Sequence, residues 1–147
     1  LREPQARLAR VDAVVVNGGH REGAHSMQVR AERVLSLREL AHAKPLSAFA
    51  GQRVHAVAGI GNPRRFFDLL RSHGLVVEPH PYPDHHAFDG SELKFDDDLP
   101  VLITEKDAGK CAPHADGRIW VVPIDVDLPP EFGDLIHRRL HALKENA

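Results

Sequence analysis

The chain has 147 residues, 42% of them hydrophobic, and a formal net charge of −2. That suits one compact domain, or a domain with a fragment of another, with enough apolar surface for a core. The charge excludes a globally basic nucleic-acid binder, and a lone cysteine, Cys111, excludes an intrachain disulfide or a Cys-rich zinc knuckle.

A single cysteine fits a reducing compartment. No stretch approaches the roughly 20 apolar residues of a membrane span. The charged opening LREPQARLAR does not read as a signal peptide. The first residue is leucine and a strand pattern follows closely, so the chain reads as the interior of a longer protein.

In chain order, VDAVVVNGG at residues 11–19 is an apolar run closed by Asn and two glycines, which predicts a buried strand and a turn. SMQVRAERVLSL at 26–37 alternates, with Met27, Val29 and Ala31 on one side, and predicts an exposed strand or hairpin. Residues 41–53, rich in small residues with a Pro and a Gly, predict a connection with at most a short helix. A domain boundary is expected there.

From Val54 a strand–helix rhythm begins. VHAVAGI at 54–60 predicts a strand, and NPRRFFDLLRSHG at 62–74 a helix. The helix has clear punctuation: Asn62 as N-cap, Pro63 at the first position, Gly74 beyond the end. Phe66, Phe67, Leu69 and Leu70 form its apolar face. LVVE at 75–78, PVLITE at 100–105 and IWVVPI at 119–124 predict three more strands. SELKF at 91–95 suits a single helical turn, and DAGKCAPHA a short helix or turn. The chain closes with an amphipathic helix over 129–145, carrying Phe132, Leu135, Ile136, Leu140 and Leu143 at helical spacing. Alternating strands and helices predict an α/β fold, a mostly parallel sheet flanked by helices.

Ligands of open parallel sheets bind beyond the carboxyl ends of the strands. Three polar motifs follow strand ends here: GIGNP, PHPYPDHH and TEKDAGK. In GIGNP, glycines permit close backbone approach, and the next helix offers unpaired N–H groups to an anion. With Glu78 downstream the spacing is similar to a dinucleotide fingerprint, but Arg64 stands at the third glycine position and Pro63 interrupts it. A tight strand-to-helix turn explains the same residues. In PDHHAF, His85 suits a general base and Asp84 an orienting acid, although a carboxylate from elsewhere would orient the ring better. His80, Asp84, His85 and His86 offer some metal ligands without an established zinc spacing, and a polar turn is the third reading. In TEKDAGKC, Thr104 and Asp107 suit helix capping, while Lys106 and Lys110 meet either a phosphate or solvent. Cys111 reads as a small half-buried residue, and Trp120 and Tyr82 as packing residues.

Read in order, LREP, VDAVVVNGG, VHAVAGIGNPRRFF, PDHHAF, ITEKDAGKC and WVVPIDV resemble the C-terminal part of the tetraacyldisaccharide 4'-kinase family of lipid A biosynthesis. The resemblance spans nearly the whole chain. Two departures are Gly109, where the family more often carries a larger aliphatic residue, and a compressed segment after DHHAF.

The resemblance implies ATP-dependent phosphorylation of the 4'-hydroxyl of a lipid-linked glucosamine disaccharide, with Mg²⁺. It implies a P-loop lobe and a second α/β lobe joined by a β-hairpin linker. On that reading residues 1–25 are a remnant of the P-loop lobe, 26–52 the linker and connection, and 53–147 the C-terminal lobe. The chain contains no Gly-x-x-x-x-Gly-Lys-[Ser/Thr], so it is expected neither to hold MgATP tightly nor to turn over alone. By matching position, His85 takes the role of the family histidine that pairs with an upstream catalytic aspartate and helps activate the sugar hydroxyl, with Asp84 beside it. Arg2 and Glu3 match a pair near the phosphate and metal. Gly59, Gly61 and Asn62 match one cleft-facing loop, and Lys106 and Asp107 the other. The chain itself is expected to be soluble and to bind no nucleic acid. The complete enzyme is expected at the cytoplasmic face of the inner membrane, meeting the membrane surface through a leading segment that precedes these residues. Two other readings stand beside this one: a free-standing nucleotide or dinucleotide module using the Gly59 turn and Glu78, and a non-enzymatic interaction domain.

Overall fold

A computed structural model describes residues 3–145. The chain divides into two compact units: Ala31–Ile124, and the flanking segments up to Arg30 and from Asp125 onward. These limits differ from the boundaries at 25/26 and 52/53 drawn from the sequence. The strand at the start of 26–37 groups with the N-terminal segment, and the closing helix does not group with the central unit.

In the flanking unit, a 3-10 stretch Gln5–Arg10 precedes β1 (Val15–Asn17) and β2 (His25–Arg30). β1 and β2 pair in parallel, and β2 pairs antiparallel with β9 (Asp125–Asp127). The run at 11–19 was expected to be buried. It forms only a three-residue edge strand, with Val11 and Val15 exposed. Among the described residues β1 has one strand neighbour, too little cover for an apolar run. β2 alternates half-buried and exposed positions, as its sequence predicts, but does not form a hairpin with the next strand. The closing helix, α3 (Pro130–Glu145), keeps Ile136, Leu140 and Leu143 exposed. Phe132 meets His25 edge to face at 5.1 Å, and Arg139 pairs with Asp12 at 3.1 Å.

The central unit is a six-stranded sheet. Its strands are β3 (Arg33–Ser36), β4 (Ala43–Pro45), β5 (Arg53–Ala58), β6 (Val76–Pro81), β7 (Val101–Thr104) and β8 (Ile119–Val122). Their order is β4-β3-β8-β7-β5-β6. The four strands from β8 to β6 are mutually parallel, and β3 and β4 add an antiparallel edge. β4 and β9 have no sequence signature: each is three residues long and fully exposed, so no buried face imposes a period. β6 runs further than LVVE, through Pro79 to Pro81. It occupies the sheet edge, where a missing N–H breaks no ladder.

Burial on both faces explains why the parallel strands read as continuous apolar runs. Alternate residues point to opposite faces. Val54, Ala56, Ala58, Leu102, Trp120 and Val122 join one core, with Phe66, Phe67 and Leu70 of α1 (Pro63–Ser72). Val57, Val101, Ile103, Ile119 and Val121 join the other, with Cys111 of α2 (Glu105–Cys111) and Phe88 and Leu93 of the intervening loop. Cys111 is fully buried rather than half-buried. Desolvation, its largest cause, pushes its thiol pKa up to about 12, so it is an inert core residue.

α2 is seven residues long and carries Gly109, where an added Cβ would meet nothing within 4 Å. Alanine there removes chain entropy from the unfolded state without a clash. Gly109→Ala is expected to raise stability by about 0.5–1 kcal/mol, read as a higher denaturant midpoint with an unchanged slope.

Candidate functional site

β5, β6 and β7 are parallel neighbours, so the segments that follow them leave one edge of the sheet. Side-chain contacts then tie these segments together. The backbone N–H of Gly59, after β5, donates to Asp107 Oδ2 at 2.8 Å. Asp84, after β6, accepts from Lys106 Nζ at 2.5 Å. Gly61 stands where a Cβ would touch Asp84 Oδ2 at 3.5 Å. Gly59, Gly61, Asp84, His85, Lys106 and Asp107 therefore share one corner of the central unit.

The Thr104-x-x-Asp107 spacing builds the β7 side. Thr104 is the N-cap of α2, and its Oγ1 accepts the Asp107 N–H at 3.2 Å. The Thr104 hydroxyl donates back to Asp107 Oδ2 at 2.7 Å. Asp107 is wholly buried, and its Oδ1 has no hydrogen-bond partner; the Lys110 ammonium lies 3.8 Å away. Its contacts make it a fastening for the Gly59 turn rather than a group presented to solvent.

The two glycines differ. A Cβ on Gly59 would lie 3.2 Å from the Phe88 ring and 3.3 Å from Asp107 Oδ1, tighter than ordinary packing. Gly61 has room. Asn62 occupies the N-cap of α1 but makes no side-chain cap hydrogen bond. The first-turn N–H groups are thus not satisfied by that side chain, and Pro63 supplies none.

The paired histidines have opposite surroundings. His86 is half-buried, bonds Glu92 Oε1 at 2.6 Å, stacks on Tyr82 and meets Phe88 edge to face. Lys110 Nζ donates to its carbonyl at 3.0 Å. His85 is 78% exposed and carries φ of +63°. A left-handed backbone at a non-glycine residue costs about 1–2 kcal/mol and persists only when the surroundings impose it. Its Nε2 is 3.7 Å from Asp84 Oδ2, outside hydrogen-bond reach. Asp84 bonds the His85 backbone N–H at 3.1 Å instead. Adjacent residues do not orient one another here, as the sequence reading anticipates. The hydrogen bond from Lys106 is the largest cause holding the Asp84 carboxyl below its usual range, so it is ionised through neutral pH.

The remaining candidates lie elsewhere. Glu3 is exposed in the flanking unit, and Arg2 lies outside the described residues. His80 is in β6, not in the loop, and bonds His55. Glu78 is level with His55, three residues short of the carboxyl end of β5, and pairs with Arg53. That placement removes it from the dinucleotide role. Among the described residues no three His, Cys, Asp or Glu side chains are arranged to hold a metal ion. No described helix is long and apolar enough to cross a membrane. Sequence reasoning missed His55, Glu92 and Asp97. A histidine inside the apolar run VHAVAG was the available signal for the first.

The model of the family described as tetraacyldisaccharide-1-P 4'-kinase matches residues 1–141. A tetraacyldisaccharide 4'-kinase of Nitrosococcus oceani is 46% identical over 90% of this chain and 39% of its own length. One of Alcanivorax borkumensis is 49% identical over 88% of this chain and 40% of its own. The chain thus spans less than half the length of these curated relatives. Among solved structures, LpxK from Aquifex aeolicus in complex with ATP matches with a TM-score of 0.60 and 23% identity, over 94% of this chain and 45% of that one. The likeness establishes a shared fold.

Gly59→Ala is expected to cost about 1–3 kcal/mol through overpacking, and Gly61→Ala less than about 0.5 kcal/mol. Chemical denaturation of the two variants side by side checks both values.

Proposed function

The chain belongs to the tetraacyldisaccharide-1-P 4'-kinase family, and from that premise we propose that it supplies part of an enzyme that transfers the γ-phosphate of ATP to the 4'-hydroxyl of a tetraacyldisaccharide 1-phosphate. The observation that carries this reading is His85: an exposed imidazole on a strained backbone, set beside the Asp84–Lys106 pair at the carboxyl edge of the sheet.

In this mechanism the neutral imidazole of His85 takes the proton of the 4'-hydroxyl. The oxygen forms a bond to the γ-phosphorus as the bond to the ADP oxygen breaks. The ionised Asp84 favours the imidazolium that results. Lys106, now paired with Asp84, presents a cation to the substrate phosphate region. Asp107 acts by position, keeping the Gly59 turn beside α2. The first-turn N–H groups of α1 face the same edge as that turn. Arg2 and Glu3 are assigned to the phosphate and metal region on sequence match alone. The described residues supply no metal-holding set, and no step here runs through Mg²⁺. Phosphate cradling falls to the part of the relatives' length that this chain does not span. The assignment of the opening residues to a P-loop-lobe remnant belongs to the same proposal, as does action at the cytoplasmic face of the inner membrane.

His85→Ala in the complete enzyme is expected to lower kcat by about 10²–10⁴-fold. His85→Gly should lose as much activity while stability stays level or rises by up to about 1 kcal/mol, because glycine accepts the positive φ. Steady-state kinetics with parallel thermal unfolding checks both. Near-normal turnover in a folded His85→Ala enzyme would refute the role.

A further inference from the structure

Lys110 stands one helical turn after Lys106 in α2, so both side chains leave the same face of the helix. Lys106 holds the Asp84 carboxylate. Lys110 is half-buried; its Nζ donates to the His86 carbonyl at 3.0 Å and lies 3.8 Å from Asp107 Oδ1. The two lysines thus grip the residues on either side of His85. The sequence offered Lys110 a phosphate or solvent, but its ammonium meets acceptors of the protein itself.

His86 closes the turn that carries the strain. Its N–H donates to the Pro83 carbonyl at 3.1 Å, and His85, third of those four residues, takes a positive φ where type II turns need one. Glycine or asparagine usually fills that position; a histidine there stays only while its neighbours are held. His86 is held on three sides: its N–H by Pro83, its carbonyl by Lys110, and its ring by Glu92, whose Oε1 accepts from Nε2 at 2.6 Å. The other oxygen of Glu92 accepts the Asp89 and Gly90 N–H groups at 3.2 and 3.1 Å, so the ring is tied to the far end of the loop. Lys110 ties His86 to α2, the helix whose Asp107 fastens the Gly59 turn.

We propose that Lys110 is a positioning residue for His85: by holding the His86 carbonyl it keeps the Pro83–His86 turn closed and the imidazole in place for the sugar hydroxyl. The inference rests on the role given to His85 above. Lys110 itself touches no substrate and moves no proton. Without its ammonium the His86 carbonyl turns to water, the turn is free to open, and His85 relaxes to an ordinary φ that carries its ring away. A displacement of about 1 Å at a reacting group is enough to cost about 10²-fold in rate.

A double-mutant cycle in the complete enzyme, Lys110→Met with His85→Ala, tests this. Lys110→Met keeps an unbranched apolar side chain and removes the donors. Alone it is expected to lower kcat by about 10–100-fold, with KM for ATP and for the disaccharide unchanged. Added to His85→Ala it should cost nothing further, because no imidazole remains to be placed. Lys110→Arg keeps a donor for the carbonyl and should recover most of kcat. Glu92→Gln serves as a second variant should Lys110→Met misfold: a carboxamide cannot satisfy the His86 ring and both backbone N–H groups, so kcat should again fall only where His85 is present. Equal losses in the two backgrounds would overturn the proposal, since Lys110 would then act on the fold at large. A raised KM with kcat kept would overturn it in favour of direct contact with a substrate phosphate. Normal turnover in Lys110→Met beside a crippled His85→Ala would overturn this inference alone, whereas normal turnover in His85→Ala would remove the role of His85 with it.

Discussion

One buried carboxylate sets the geometry of the candidate site. Removing Asp107 from water is costly unless its oxygens find donors. It meets that condition on one oxygen, through the Gly59 N–H and the Thr104 hydroxyl, with the Lys110 ammonium near the other. Those donors come from the turn after β5 and from the cap of α2, so satisfying Asp107 holds two strand ends together. The third is joined by the Asp84–Lys106 pair, through the residue just before Asp107 in the same helix. The arrangement depends on parallel strands: only a shared direction brings the three turns to one edge.

The loop after β6 separates anchoring from presentation. His86 is held by Glu92, Tyr82, Phe88 and Lys110, while its neighbour His85 is left in solvent on a backbone that its side chain does not favour. The strain at His85 is sustained because the residues on either side are bound: Asp84 by Lys106, His86 by the aromatic cluster. Further along, the same segment is joined to the sheet through Phe95 and Asp97 at His55. A reactive group can thus be exposed without being loose, because rigidity resides in its neighbours.

What was legible in the sequence follows from burial. β5, β7 and β8 are covered on both faces and read as unbroken apolar runs. α1 carries its signals locally, in Pro63 and Gly74. The order of the motifs identified the family, and parallel strands predicted that the GIGNP, PHPYPDHH and TEKDAGK segments would lie along one edge. The run at 11–19 misled because apolar composition promises a partner surface that the described residues do not provide. β4 and β9 were invisible because short exposed strands carry no periodic pattern. The burial of Asp107 was half visible in the Thr-x-x-Asp spacing, which indicates a cap but not a bond to a distant glycine. His55 with Asp97, separated by 42 residues, has no local signature at all.

The most direct test of the Asp107 clamp is amide hydrogen exchange at Gly59, in the native chain and in Asp107→Ala. If Asp107 clamps the turn, the Gly59 amide is protected and exchanges at least about tenfold faster in the variant, equivalent to about 1.4 kcal/mol, while the Leu102 amide in β7 remains protected. A Gly59 amide that exchanges equally slowly in a variant whose sheet is intact would contradict it, since the turn would then be held by something other than the buried carboxylate.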